Sequence, residues 1–113
     1  MTYSLGYYSP SVQAEIESWP PSINASFTRI AVQMAGSGPN LGLPYTRSFG
    51  DGLFEIRAKG REGIGRAFFC ALVGRRIVML HGFIKKAQRT PLKELKLARQ
   101  RLKEVHHAEA NHE

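Results

Sequence analysis

The sequence predicts an α+β fold in the order βααββββα, with a curved antiparallel sheet and helices packed on one side. Three observations predict it. Two apolar stripes at helical spacing fill the first third of the chain, and four strand-like runs divided by glycine turns fill the middle. A third helical stripe, opened by Thr90-Pro91, closes it. At 113 residues and 42% hydrophobic, the chain is expected to form one domain over residues 1–105, with a polar, frayed tail over 106–113.

Leu5 to Tyr8 reads as an edge strand. Ser9-Pro10 then supplies an N-cap and a proline at the first helical position, and Val12, Ile16 and Trp19 line one face of a short helix. Pro20-Pro21 ends that helix, because proline donates no amide hydrogen and restricts the residue before it. The second helix carries Ile23, Phe27, Ile30, Ala31 and Met34 on one stripe and stops at Gly36, Gly38 and Pro39. Both helices read as scaffold.

The sheet is expected to begin at Tyr45–Phe49 and to turn at Gly50-Asp51-Gly52 into Leu53–Lys59. In that second run Phe54, Ile56 and Ala58 point one way, and Glu55, Arg57 and Lys59 the other. Ile64 to Val73 is apolar on both faces except for Arg66, which suits a central strand. Gly74-Arg75 suits a hairpin turn into Arg76–Ile84, where alternation puts Ile77, Met79, His81, Phe83 and Lys85 in one phase. The final helix sets Leu95, Ala98, Leu102 and Val105 against a basic face of Lys93, Lys96, Arg99, Arg101 and Lys103.

Charge is regional. The net charge is +7 and the pI about 10.0. Residues 1–46 hold Arg29 against Glu15 and Glu17, whereas residues 47–103 hold fifteen cations against four carboxylates. That segregation points to an anion-binding face, and nucleic-acid phosphate is the abundant candidate ligand. A solvated basic surface is the competing reading. Strands rarely carry cations into a sheet, so Arg57, Arg66, His81, Lys85 and Lys86 are candidates for a cationic site, with Lys59, Arg61, Arg89 and Lys93 as further cations of the basic region. The single cysteine, Cys70, lies in an apolar run and reads as a buried thiol in a reducing compartment. No run reaches the roughly 20 apolar residues that span a bilayer, and the N-terminus lacks a signal-peptide layout, so the expected location is cytoplasmic. His106, His107 and His112 have no companion ligands at metal-binding spacing, and neither metal nor cofactor is expected.

The segments DGLFEIR (Asp51 to Arg57) and HGFIKKAQRTP (His81 to Pro91), with an arginine-bearing strand between them, resemble the phage-derived, HigB-like branch of the RelE/ParE toxin superfamily. The resemblance spans nearly the whole chain. It implies a microbial RNase-like fold and the toxin half of a toxin–antitoxin pair. It further implies a ribosome-dependent endoribonuclease that cuts messenger RNA, silenced by a small helix-turn-helix antitoxin. Arg57, Arg66, Lys85 and Lys86 match basic positions of the family, and the activity it implies makes these four and His81 the candidate catalytic residues and Lys59, Arg61, Arg89 and Lys93 the candidate RNA contacts. This chain has Leu92 and Lys93 where RelE places a tyrosine near the start of the final helix. A non-enzymatic ParE-like toxin acting on DNA gyrase, or a repurposed RNA-binding module, therefore stands as the alternative.

Overall fold

The computed structural model describes residues 2–85 and 91–110, Lys85 by its backbone alone. In chain order the elements are β1 (Ser4–Tyr7), α1 (Pro10–Glu17), α2 (Pro21–Ser37), β2 (Thr46–Gly50), β3 (Leu53–Gly60), β4 (Gly63–Leu72), β5 (Arg76–Lys85) and α3 (Leu92–Ala110). The α+β class and the βααββββα order are those expected. None of these helices is long and apolar enough to cross a membrane.

The capping chemistry works as the sequence suggests. Ser9 accepts from the Val12 amide at the start of α1, with Pro10 at the first helical position. Pro21 opens α2, and Gly38 ends it at φ 99°, a left-handed conformation that suits glycine. Gly74 (φ 83°) and Arg75 (φ 57°) form the turn between β4 and β5. The Thr90 cap expected for α3 lies outside the described residues.

The five strands run in the order β1-β5-β4-β3-β2. The meander β2 to β5 is antiparallel, but β1 pairs with β5 in parallel, so the sheet is mixed rather than antiparallel throughout. The reason is connectivity. The α1–α2 hairpin carries the chain across the sheet from β1, and the strands that follow return to place β5 beside β1.

A second difference concerns the helices. One core buries Val12, Ile16 and Trp19, with Ile23, Phe27, Ile30 and Met34 of α2, against Ile56, Ala58, Ala67, Phe69, Ile77 and Met79. The other buries Ala98 and Leu102 of α3 against Leu53, Phe68, Cys70, Leu80 and Phe83. The helices thus cover both faces, not one. This follows from β4, which is apolar on both sides and so needs cover on both. Where a frayed tail was expected from residue 106, α3 continues five residues past Val105 to Ala110, tied back by the Arg76–Glu109 ion pair.

The third difference is a bulge. The β4–β5 register passes from Phe68 opposite His81 to Phe69 opposite Met79, leaving Leu80 as an extra residue. Leu80 packs under α3, and Arg101 donates to its carbonyl at 2.8 Å. The bulge flips the strand's phase, so Ile77 and Met79 face α1 and α2 while Phe83 faces α3. The single phase expected for Ile77 through Lys85 is therefore broken after Met79.

Close approach of the α1–α2 hairpin depends on three glycines; a Cβ on Gly60 would lie 2.7 Å from the Ile23 amide nitrogen. A Cβ on Gly65 would lie 2.7 Å from both Trp19 and Ile23, and one on Gly82 would lie 2.7 Å from Ile16. The backbone at these positions is ordinary strand, so the constraint is space alone. Gly65→Val should destabilise the protein by about 1–3 kcal/mol in urea unfolding, the usual range for overpacking. The Cys70 thiol, pushed up to about 11 by burial, should resist alkylation by iodoacetamide in the folded protein and react promptly once it is unfolded.

Candidate functional site

Register brings most of the sequence candidates onto one face of the sheet, the face that α3 partly covers. Three rows cross β3, β4 and β5: Lys59–Ile64–Lys85, then Arg57–Arg66–Phe83, then Glu55–Phe68–His81. Arg47 of β2 extends the third row beside Glu55. Neighbours within a row stand about 4.8 Å apart, and alternate residues along a strand about 7 Å. The Arg57 amide donates outward to the Tyr45 carbonyl at 2.8 Å. Arg57 and Arg66 therefore oppose each other as a non-hydrogen-bonded pair, the geometry that brings cross-strand side chains closest.

Two arginines so placed would repel each other without a counter-ion, and Glu55 is that counter-ion. Arg66 Nη1 meets Glu55 Oε1 at 2.7 Å, with the two side chains 2% and 0% exposed. Burial holds the Glu55 carboxyl above the usual carboxylate range, opposed by the charges of Arg66, Arg47 and Arg57. Three guanidinium groups thus surround one carboxyl. The polar bookkeeping is incomplete: Glu55 Oε2, Arg57 Nε and Arg66 Nε are buried without a hydrogen-bond partner among the described residues. Of these residues Arg57 alone is half-buried and lines an open cavity, so its guanidinium is the one an oxyanion can reach.

His81 lies at the other side of the face. Its Nε2 is 2.8 Å from Glu94 Oε1 in the first turn of α3, and its ring stacks on Phe83 with centroids 5.7 Å apart. The carboxylate fixes the ring's orientation, and a neutral imidazole donating from Nε2 keeps Nδ1 as a proton acceptor. His81 therefore joins the same face as Arg66, separated from it by the Phe83 ring.

The remaining candidates divide. Lys59, Arg61 and Lys93 are exposed, at the end of β3, in the β3–β4 turn and at the start of α3. Lys85 ends β5 opposite Ile64. Lys86 and Arg89 lie outside the described residues. Arg66, the lone charge of an otherwise apolar strand, is a buried ion-pair partner. Two cations of the basic α3 face also turn inward, Arg99 to the Phe49 carbonyl and Arg101 to that of Leu80, each at 2.8 Å.

The sequence reading missed Arg47 and Glu55. Alternation along β3 already placed Glu55 on the cationic face, and an acidic residue among fifteen nearby cations was the available signal. Arg47 gave none, since its place depends on the β2–β3 register.

These features define a small α+β protein whose sheet presents a cationic face beside one terminal helix. The chain belongs to the Phage derived protein Gp49-like family, whose model matches residues 14–103. That is the phage-derived branch read from DGLFEIR and HGFIKKAQRTP. No curated protein matches the sequence significantly. Among solved structures it is similar to a chain in the crystal structure of the archaeal RelE-RelB complex from Pyrococcus horikoshii OT3. The identity is 16% and the TM-score 0.49, over 76% of this chain and 98% of that one.

The ion pair makes its own prediction. Arg66→Ala should cost about 3–5 kcal/mol in urea unfolding, because it leaves Glu55 buried and unpaired. Replacing both partners with apolar residues, Arg66→Met with Glu55→Leu, should recover most of that loss.

Proposed function

We propose that the protein is the toxin of a toxin–antitoxin pair, a cytoplasmic, ribosome-dependent endoribonuclease that cuts messenger RNA without a metal. The observation that carries this reading is the Arg57–Arg66 row. It offers the planar, permanently charged Arg57 guanidinium to a phosphate, beside an Arg66 pinned by Glu55 on a rigid sheet. The family resemblance supplies the reaction class, and a helix-turn-helix antitoxin is the expected partner.

The chemistry needs little beyond these residues. The 2′-hydroxyl attacks its own adjacent phosphorus, forming the 2′-oxygen to phosphorus bond and breaking the bond to the 5′-oxygen. A base takes the hydroxyl proton and an acid protonates the leaving oxygen. The products are a 2′,3′-cyclic phosphate and a 5′-hydroxyl end. Charge builds on the non-bridging oxygens during attack, where Arg57 stabilises it. Arg66 is held by Glu55 and steadies the face behind Arg57. His81, oriented by Glu94, moves one proton, and Lys85 or Lys86 is the candidate for the other. Lys59, Arg61, Arg89 and Lys93 bind flanking phosphates. An antitoxin silences the toxin most directly by covering Arg57 and Lys85, since Arg66 is already buried in its ion pair.

Arg57→Ala should lower RNA cleavage about 10²–10³-fold, the usual loss for one electrostatic donor, while unfolding as a single transition near the wild-type midpoint. The measurement is mapping of 5′-hydroxyl RNA ends after induced expression, paired with denaturation of the purified variant. Unchanged cleavage by folded Arg57→Ala would remove Arg57 from the mechanism, the absence of new RNA ends with the wild type would remove the nuclease reading, and a DNA-damage response without new RNA ends would favour gyrase as target. Ribosome binding should also weaken with salt, each neutralised phosphate adding about 0.7 to 0.9 to the log–log slope. A flat salt dependence would exclude the basic face as the contact.

A further inference from the structure

A cavity of about 360 Å³ opens at the free edge of β3, lined by Ser26 and Arg29 of α2, Pro44 and Tyr45 of the segment before β2, and Arg57, Lys59 and Ile64. It exists because β2 stops pairing at Thr46, opposite Ile56, so only the Tyr45 carbonyl meets β3 beyond that point. Its volume is in the range of sites that enclose one small organic ligand.

The lining has two chemistries. Arg29, Arg57 and Lys59 are cations, and no acidic residue lines the cavity. Neither Arg29 nor Lys59 forms a salt bridge with a described residue. Such a surplus selects an anion. The other chemistry is planar and apolar. Tyr45 is 46% exposed, a large ring left in solvent beside Pro44 and Ile64. An aromatic face next to cations is the combination that holds a nucleobase by stacking and its phosphate by charge. Arg57 belongs both to this cavity and to the arginine row on the sheet face, so the two are continuous.

We infer that this cavity is a mononucleotide subsite. It receives the base of a nucleotide adjoining the phosphate at Arg57 on Tyr45, and that nucleotide's own phosphate on Arg29 and Lys59. The inference rests on the reading of the sheet face as an RNA site, which it extends around the sheet edge onto α2. Arg29, the lone cation of the N-terminal third, thereby gains a role that charge counting denied it.

The test is titration of the purified protein with adenosine 5′-monophosphate and, separately, with ribose 5-phosphate, followed by calorimetry. The wild type should bind the nucleotide more tightly than the sugar phosphate. Tyr45→Leu should weaken nucleotide binding on the order of tenfold and leave ribose 5-phosphate unchanged, whereas Arg29→Gln should weaken both. Equal binding of the two ligands by the wild type, or full nucleotide affinity in folded Tyr45→Leu, overturns the subsite. Cleavage plays no part in the titration. Tyr45-dependent binding by a protein that cuts no RNA upholds the subsite and removes the nuclease. Cleavage lost in Arg57→Ala beside Tyr45-independent binding does the reverse.

Discussion

The ion pair between Glu55 and Arg66 is the constraint on which the cationic face depends. A guanidinium at the centre of a sheet is expensive to bury alone, and a second one opposite it adds repulsion. One carboxyl on the neighbouring strand makes both tolerable and leaves the face with surplus positive charge from Arg47 and Arg57. Such a pair adds little net stability compared with packed hydrocarbon. Its contribution here is positional: it fixes where Arg66 stands, and through the register where the half-buried Arg57 stands beside it. The central strand is sealed on the other side by α1 and α2, so the charged side has no freedom to invert.

The parts of the fold governed by local rules were legible in the sequence. Ser9-Pro10, the Gly-Asp-Gly turn and the apolar stripes each fix their own element, and β3 alternates as read. What was not legible depends on pairing between distant segments. Parallel addition of β1 needs the position of β5, and the bulge at Leu80 needs the register against β4. Cover on both faces was implicit in the two-sided apolar character of Ile64 to Val73, which a one-sided helical layer cannot satisfy.

The site divides along the same line. Arg57 and Lys59 were readable because alternation alone decides their face. Arg66 was read correctly as the odd charge on a central strand but not as half of an ion pair, since its partner lies eleven residues away across a turn. Tyr45 and Arg29 carried no signal, because the cavity they line is assembled from a strand edge, a helix flank and a connecting segment. The inward turn of Arg99 and Arg101 was equally hidden, for it answers carbonyls exposed by the bulge and by the end of β2.

The parallel pairing of β1 with β5 has a consequence for how the chain is made. Ser4 stands opposite Arg76, so the strand that leaves the ribosome first waits for a partner about seventy residues later. At ordinary synthesis rates of roughly 5–20 residues per second that delay lasts several seconds. The α1–α2 hairpin, tethered to β1 and resting on glycines of β4 and β5, waits with it. The meander β2 to β5 is built from neighbours and closes over short loops, so it forms the platform onto which the earlier segment docks. Of the five strands β1 is thus the first made, and the strand it pairs with is the last.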